Sequence, residues 1–374
     1  MKPTRLCLLG DANSVHLQRW AREMAARGFE ISVVTARPAP MDGVAQQIVL
    51  APVRRSSDWL LRVGATRDAL RKLRPDLVHA HYITSYGYLA ARTVPAMRLP
   101  LVMTAWGSDL LVTPRSSGLL RALTGWTLRR ADCLTGDSAD LLTAAGAFGL
   151  RHAPLLIHFG VDLARFAPSP WGGKPGFETV SLRAWEPNYR IDRIVQALAL
   201  LRDRMPRSPL HLHLLGGGSL QGALTQQVAA LSLQDRVTLH GRCDDAGMAQ
   251  VMARCKVSVS VPRSDATSVS VLESMGAGLA VVASDLPANR DWLGDDRAWL
   301  IDADGDALAR GIAETLGSLL QDDRRMQQVA QANRARVEAD GDRAQQMDRM
   351  AAVYERLLQE RSTAAPGRRP KAAR

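Results

Sequence analysis

The sequence predicts an α/β protein of two domains, each a parallel sheet with helices on both faces. Three observations predict it. Short apolar runs alternate with helical patterns through the first half, a Pro- and Gly-rich stretch interrupts them near residue 170, and the alternation then restarts. The 374 residues suffice for two domains of ordinary size, each with its own core.

In chain order, TRLCLLG reads as a buried strand and SVHLQRWAREMAARG as an amphipathic helix closed by Gly28. FEISVVTA, DLVHAHY and LPLVMTAWG follow as strands with helices between and after them. After FAPSPWGGKPGF (166–177), residues 178–183 read as a strand and IDRIVQALALLRD as a helix. LHLHLLGGG, RVTLHGR, CKVSVSVP, LAVVASD and AWLID are further strands. The expected layout is a Rossmann-like domain over 1–168 and a second over 178–345, facing each other across a cleft. A helix over 346–360 is expected to return to the first domain, and the basic segment 361–374, without periodicity, is expected to be disordered.

Composition narrows the function classes. Hydrophobic residues make up 46% and charged residues 23%, a globular balance. No run of eighteen apolar residues is present and the N-terminal apolar stretch is too short for a signal peptide. Cys7, Cys133, Cys243 and Cys255 lack metal-binding spacing and read as reduced thiols. The expected location is therefore the cytoplasm. Residues 1–165 hold 21 Lys and Arg against 12 Asp and Glu, whereas residues 166–360 hold 22 against 25. Such asymmetry suits an anionic partner. A nucleic-acid partner is not expected, because no recognition element accompanies the charge. DADGD (302–306) lacks the Gly and Glu of a calcium loop, so Asp306 is expected to cap the following helix. LLGGGSL is not a full dinucleotide fingerprint.

The chemistry concentrates in VSVSVPRSDATSVSVLESMGAGLAVVASDLP. A buried strand ends at Pro262, a loop follows, and Ser268 opens a helix to about Met275. Ligands of open α/β sheets bind beyond the carboxyl ends of strands, where a helix N-terminus offers free amides to a diphosphate. Ser268, Val269 and Ser270 supply those amides, and the serines add hydroxyls. Glu273, an acceptor-only group, suits ribose hydroxyls, and Asp265 suits sugar hydroxyls. By spacing alone the pair reads equally well as a loop acid and a surface carboxylate.

Here the chain resembles the GT-B glycosyltransferases of family 4, over nearly its whole length. The family's paired-acid element matches DATSVSVLESMGAGLAVVASDLP, with Asp265 in place of the usual first Glu. GVDLARF, SLRAWEPNYRID, DLVHAH, WGSDLL and LLGGGSL match in order. The resemblance implies a retaining enzyme that moves a sugar from a nucleoside diphosphate sugar to a hydroxyl, without bound metal or other cofactor. It implies that Arg183 contacts the diphosphate and that Gly217 lies beside the donor. The family's Lys is missing, and Arg190 is the candidate substitute. In the first half, Asn13 and Ser14 precede a helix and either cap it or meet donor phosphates. His16, Trp106 and Asp109 are acceptor-side candidates; Trp106 stands where relatives often carry His. His81 is the candidate catalytic polar group beside the acceptor, with His79 expected on the opposite face.

Basic amphipathic stretches at 54–76 and 115–130 suit an anionic bilayer surface, or equally pack as ordinary core-facing helices. The former reading implies a sugar or lipid-linked acceptor and peripheral attachment to the inner face of the cytoplasmic membrane, in polysaccharide or glycolipid biosynthesis. Two other readings stay open: a catalytically weak binding subunit, and a nucleotide-sugar epimerase on the same fold.

Overall fold

The computed structural model describes residues 3–294 and 299–364. The chain divides into two compact units, Met1–Ile157 with Ala344–Arg374, and His158–Arg343.

The first unit carries a sheet ordered β3-β2-β1-β4-β5-β6-β7. Its strands are β1 (Arg5–Leu9), β2 (Glu30–Thr35), β3 (Val44–Val49), β4 (Leu77–His81), β5 (Leu101–Thr104), β6 (Cys133–Gly136) and β7 (Leu155–Leu156). Every recorded pairing is parallel, as βαβ crossovers require. Central β4 is apolar apart from its two histidines and buried at all five positions, the pattern of a strand covered on both faces. Edge strand β3, VAQQIV, has no buried residue, and its polar middle escaped the strand pattern.

The second unit repeats the plan with order β10-β9-β8-β11-β12-β13. Here β8 is Phe177–Ser181, β9 Leu210–Leu215, β10 Val237–Gly241, β11 Val257–Ser260, β12 Ala280–Ser284 and β13 Leu300–Ile301. The helix Ile191–Arg204 buries Ile191, Ile194, Val195 and Leu198 against one face, following its 3.6-residue period. The opposite face is filled by Val271, Leu272 and Met275 of the helix Val269–Gly276 together with Phe166 and Val161.

The unit boundary falls earlier than residue 168. GVDLARF belongs with the second unit: Phe166 is 1% exposed within that core, and Val161 bridges in parallel to Asp342. Gly160 (φ 71°) permits this approach, because a Cβ there would stand 2.7 Å from the Arg343 backbone. The final helix, Arg343–Ala364, extends past residue 360, so the first four residues of the expected tail are helical. The remainder, 365–374, lies outside the described residues. Asp304, rather than Asp306, caps the helix Gly305–Gln321 by accepting from Gly305 N–H; Asp306 pairs instead with Arg193 at 2.7 Å. Among the described residues no helix is long and apolar enough to cross a membrane.

Candidate active site

Both sheets reverse strand order at one place, between β8 and β11 in the second unit and between β1 and β4 in the first. At such a switch point the crossovers leave on opposite faces, and the loops beyond the strand ends open a crevice. Most of the residues singled out from the sequence follow these strands.

In the second unit, Arg183 lies just beyond β8, and the loop with Asp265 lies just beyond its neighbour β11. The Arg183 guanidinium donates to Asp265 Oδ2 at 2.6 Å, to Ser270 Oγ at 2.9 Å and to Ser268 Oγ. It also stacks over the Tyr189 ring, 4.3 Å from its centroid. Ser268 is the N-cap residue of Val269–Gly276, accepting from Val271 N–H, so Arg183 is fastened to the positive end of a helix. Gathering so much positive potential in a buried place calls for an anion. Asp265 supplies part of that charge.

Glu273 lies one turn further along the helix and is 4% exposed, which removes the surface-carboxylate reading. Its neighbour Ser274 is a packing residue, bonded to Ser258 Oγ at 2.8 Å and to the Ser270 carbonyl. The glycines of LLGGGSL serve close approach. A Cβ on Gly216 would stand 2.4 Å from the Arg183 carbonyl, and one on Gly218 would stand 2.4 Å from that of Trp185. Gly217 accepts from Trp185 N–H at 3.1 Å, tying the loop after β9 to the segment that carries Arg183.

Arg190 corrects the sequence reading. Its guanidinium, 6% exposed with the rest of the residue, donates to the carbonyls of Val261, Pro262 and Ala303 and to Asp304. Burial pushes its pKa down, and its donors brace the end of β11 instead of standing ready as a substitute for the missing Lys. Tyr189 beneath Arg183 was not singled out; an aromatic two residues past Pro187 was the available signal.

In the first unit, the loop after β1 carries Asn13, Ser14 and His16, and β4 ends in His81. Ser14 is the N-cap residue of Val15–Ala26 by backbone conformation, yet its side chain makes no capping bond. Asn13 is exposed. His16 stacks on Trp106 with centroids 4.9 Å apart, and the Trp106 indole N–H donates to His81 Nδ1 at 3.3 Å. These three rings therefore form one cluster. Burial pushes the His81 pKa down to about 3.

Two expectations fail here. His79 does not face away from His81: residues two apart on a strand share a face, and the rings stack 4.3 Å apart. Asp109 is not available to an acceptor. It is 2% exposed, and its carboxylate takes the backbone N–H groups of Ile83, Trp106 and Gly107. Burial raises its pKa against those bonds. Asp109 thus ties the loop after β4 to the loop after β5.

Among the described residues, Glu178, His213 and Cys255 bring possible metal-ligand atoms within 4.8 Å of one another. Glu178 is held by Arg254 at 2.8 Å and by His213 at 3.0 Å, and His213 Nδ1 meets His240 at 3.0 Å. A closed hydrogen-bond network accounts for this group, which sits at the amino end of β8, away from Arg183.

A family model for glycosyl transferase 4-like proteins matches residues 5–138, and one for glycosyl transferases group 1 matches residues 179–322. The chain belongs to the group 1 glycosyltransferases. Two similar members are the GDP-mannose:cellobiosyl-diphosphopolyprenol alpha-mannosyltransferases of Xanthomonas oryzae pv. oryzae and Xanthomonas campestris, 25% and 24% identical. These matches cover 59% and 60% of this chain and 58% of each relative, little more than half the relatives' length. Among solved structures, sucrose-phosphate synthase from Thermosynechococcus elongatus has a TM-score of 0.76 at 16% identity, covering 96% of this chain and 100% of that one. Anabaena HepE in complex with UDP-glucose has a TM-score of 0.76 at 17% identity, covering 94% and 99%. The shared fold is GT-B, two parallel-sheet α/β domains.

Proposed function

We propose that this glycosyltransferase moves a sugar from a nucleoside diphosphate sugar to a hydroxyl of a lipid-linked sugar acceptor, with retention of anomeric configuration, in cell-surface polysaccharide or glycolipid biosynthesis. The observation that carries the reading is Arg183, buried and fastened to the N-cap of Val269–Gly276 at the switch point of its sheet. The names of the Xanthomonas relatives and the UDP-glucose complex of HepE support the substrate classes.

In this reading the diphosphate oxygens accept from Arg183 and from the first-turn amides at Val269 and Ser270. The bond from the anomeric carbon to the phosphate oxygen breaks and a bond to the acceptor oxygen forms on the same face. The acceptor's proton passes to the departing phosphate. Negative charge grows on that phosphate, where a fixed guanidinium and helix end are already aimed, so stabilisation needs no reorganisation. Glu273 accepts from ribose hydroxyls, and Arg183 with the helix end takes the place of a metal.

The test is a thermal-shift screen of nucleotide sugars followed by transfer assays, since a true donor raises apparent stability by mass action. Arg183→Ala should lower kcat/KM by roughly 10²–10³ while leaving the melting temperature nearly unchanged. Full activity in Glu273→Ala would sink the site assignment.

A further inference from the structure

The segment after Arg183 is tied down at several points. Pro187 opens the short turn Pro187–Tyr189, which the Tyr189 N–H closes on the Glu186 carbonyl at 2.9 Å. Before the turn, the Glu186 carboxylate accepts from the Ser219 N–H at 2.9 Å and from the Ser219 hydroxyl, a link to the loop after β9. Within it, the Asn188 carbonyl accepts from Arg263 N–H at 2.8 Å and the Asn188 amide donates to the Ser264 carbonyl at 3.0 Å, a link to the loop after β11. Beyond it, Arg190 is left-handed (φ 53°) and bonded to the carbonyls of Val261 and Pro262. Tyr189 is therefore held between three fixed points, with its side chain packed against the core of its unit.

The ring so immobilised lies against the Arg183 guanidinium, 4.3 Å from Cζ to ring centroid. The other contacts of that guanidinium are made at its nitrogens. Nη1 donates to Ser268 and Ser270, and Nη2 donates to Asp265. Among the described residues no hydrogen bond takes its Nε–H. Two of the three partners are hydroxyls that can rotate, and the third sits in a loop, so these bonds alone let the group tilt. An aromatic face resists tilting, because its quadrupole draws the cation onto the ring.

We infer that Tyr189 is a positioning residue of the donor site, a braced ring that holds the Arg183 guanidinium at the end of helix Val269–Gly276 with its Nε–H left for a phosphate oxygen. That the ring holds Arg183 stands on the contacts alone; that the held group meets a diphosphate rests on the transfer reading. A guanidinium fixed in advance loses less freedom when the anion arrives, and it needs no rearrangement as charge grows on the departing phosphate.

The holding role is read in the free protein. In ¹H–¹⁵N spectra of the full chain labelled at arginine side-chain nitrogens, Arg183 is assigned by loss of its signal in Arg183→Lys. Its Nε–H proton should lie upfield, shifted by the ring, in the parent and in Tyr189→Phe, and should lose that shift in Tyr189→Leu. An unchanged position in Tyr189→Leu would overturn the holding role. The consequence for the donor is read by calorimetric titration with UDP and with GDP, and by transfer from whichever nucleotide sugar the screen identifies. Tyr189→Phe should restore both to within about twofold of the parent, whereas Tyr189→Leu should bind the nucleotide about three- to thirtyfold more weakly. Its kcat should fall as well as its KM rise, because the held charge matters most in the transition state. Parent-like affinity and kcat in Tyr189→Leu would overturn the positioning role. If Tyr189→Leu does not fold, Asn188→Ala decides, since it keeps the ring and releases the turn: weaker nucleotide binding supports the inference, and parent-like binding overturns it. If neither nucleotide binds the parent and no sugar is transferred, the transfer reading fails, while the ring shift still decides whether Tyr189 holds Arg183.

Discussion

At the residue scale, Asp265 is the side chain whose position says most. Its carboxylate, 2.6 Å from Arg183, takes up the charge that a diphosphate is proposed to take. The two anions compete for one guanidinium. The Arg183 and Asp265 side chains are 9% and 22% exposed, so solvent screens the pair only weakly. Asp265→Asn should therefore bind a free nucleoside diphosphate about two- to fivefold more tightly, read by calorimetry, while transfer falls through loss of a sugar contact. Unchanged affinity would mean that the anions do not compete. From the residues alone Asp265 and Glu273 read equally well as a loop acid and a surface carboxylate; the family resemblance singled out Arg183, which the structure places against Asp265 and Ser268. The sequence did not carry what Arg190 and Asp109 bond to. Those partners are backbone groups on other elements, and no side-chain pattern marks a carbonyl that needs a donor.

At the element scale, two contacts are sharp enough to test. Gly218→Ala would drive a Cβ into the Trp185 carbonyl, which stands 2.4 Å from the ideal position. Backbone cannot swing aside as a side chain can, so the cost should be about 1–3 kcal/mol in urea denaturation. The second contact binds the last helix to β4. Tyr354, 0% exposed, accepts from the Trp20 indole at 3.0 Å, which leaves its own proton for His79 Nδ1. His79 Nε2–H then donates to Thr104, whose hydroxyl lies 2.6 Å from that of Thr135. Tyr354→Phe strips this chain of its hub and leaves buried partners unsatisfied, so a loss of about 2–4 kcal/mol is expected by the same measurement. Long apolar strands and amphipathic helices were legible from periodicity. The four-residue β6 and the polar edge β3 were not, because their pairing comes from neighbours in space.

At the scale of the whole molecule, buried neutral histidines govern response to acid. Burial lowers the pKa of His79, His81, His211, His213 and His240, with His81 brought to about 3 from 6.5. Each binds its proton more readily in the unfolded chain. Their contribution to stability is therefore complete above about pH 6.5 and is lost as pH falls toward the folded values. The melting temperature should hold from pH 8 to about 6.5 and then fall steadily toward pH 5; a rise over that span would contradict it. The basic excess of residues 1–165 makes a second prediction. Leu60, Leu61 and Leu119 are exposed by 56%, 74% and 78% in the two arginine-rich stretches. Sedimentation with anionic vesicles should show binding that weakens as salt rises. Absence of binding at low salt would leave those helices as ordinary surface.

The first unit is assembled from two pieces of chain separated by the whole of the second. Domains ordinarily fold as units from the N-terminus onward during synthesis, but the first unit here also takes up residues 344–364, which follow the whole of the second. When the ribosome has finished the second unit, the first still lacks the helix that brings Tyr354 to Trp20 and His79. The second unit therefore has all of its chain before the first does, and His79 of β4 meets its tyrosine partner only once Tyr354 has been made.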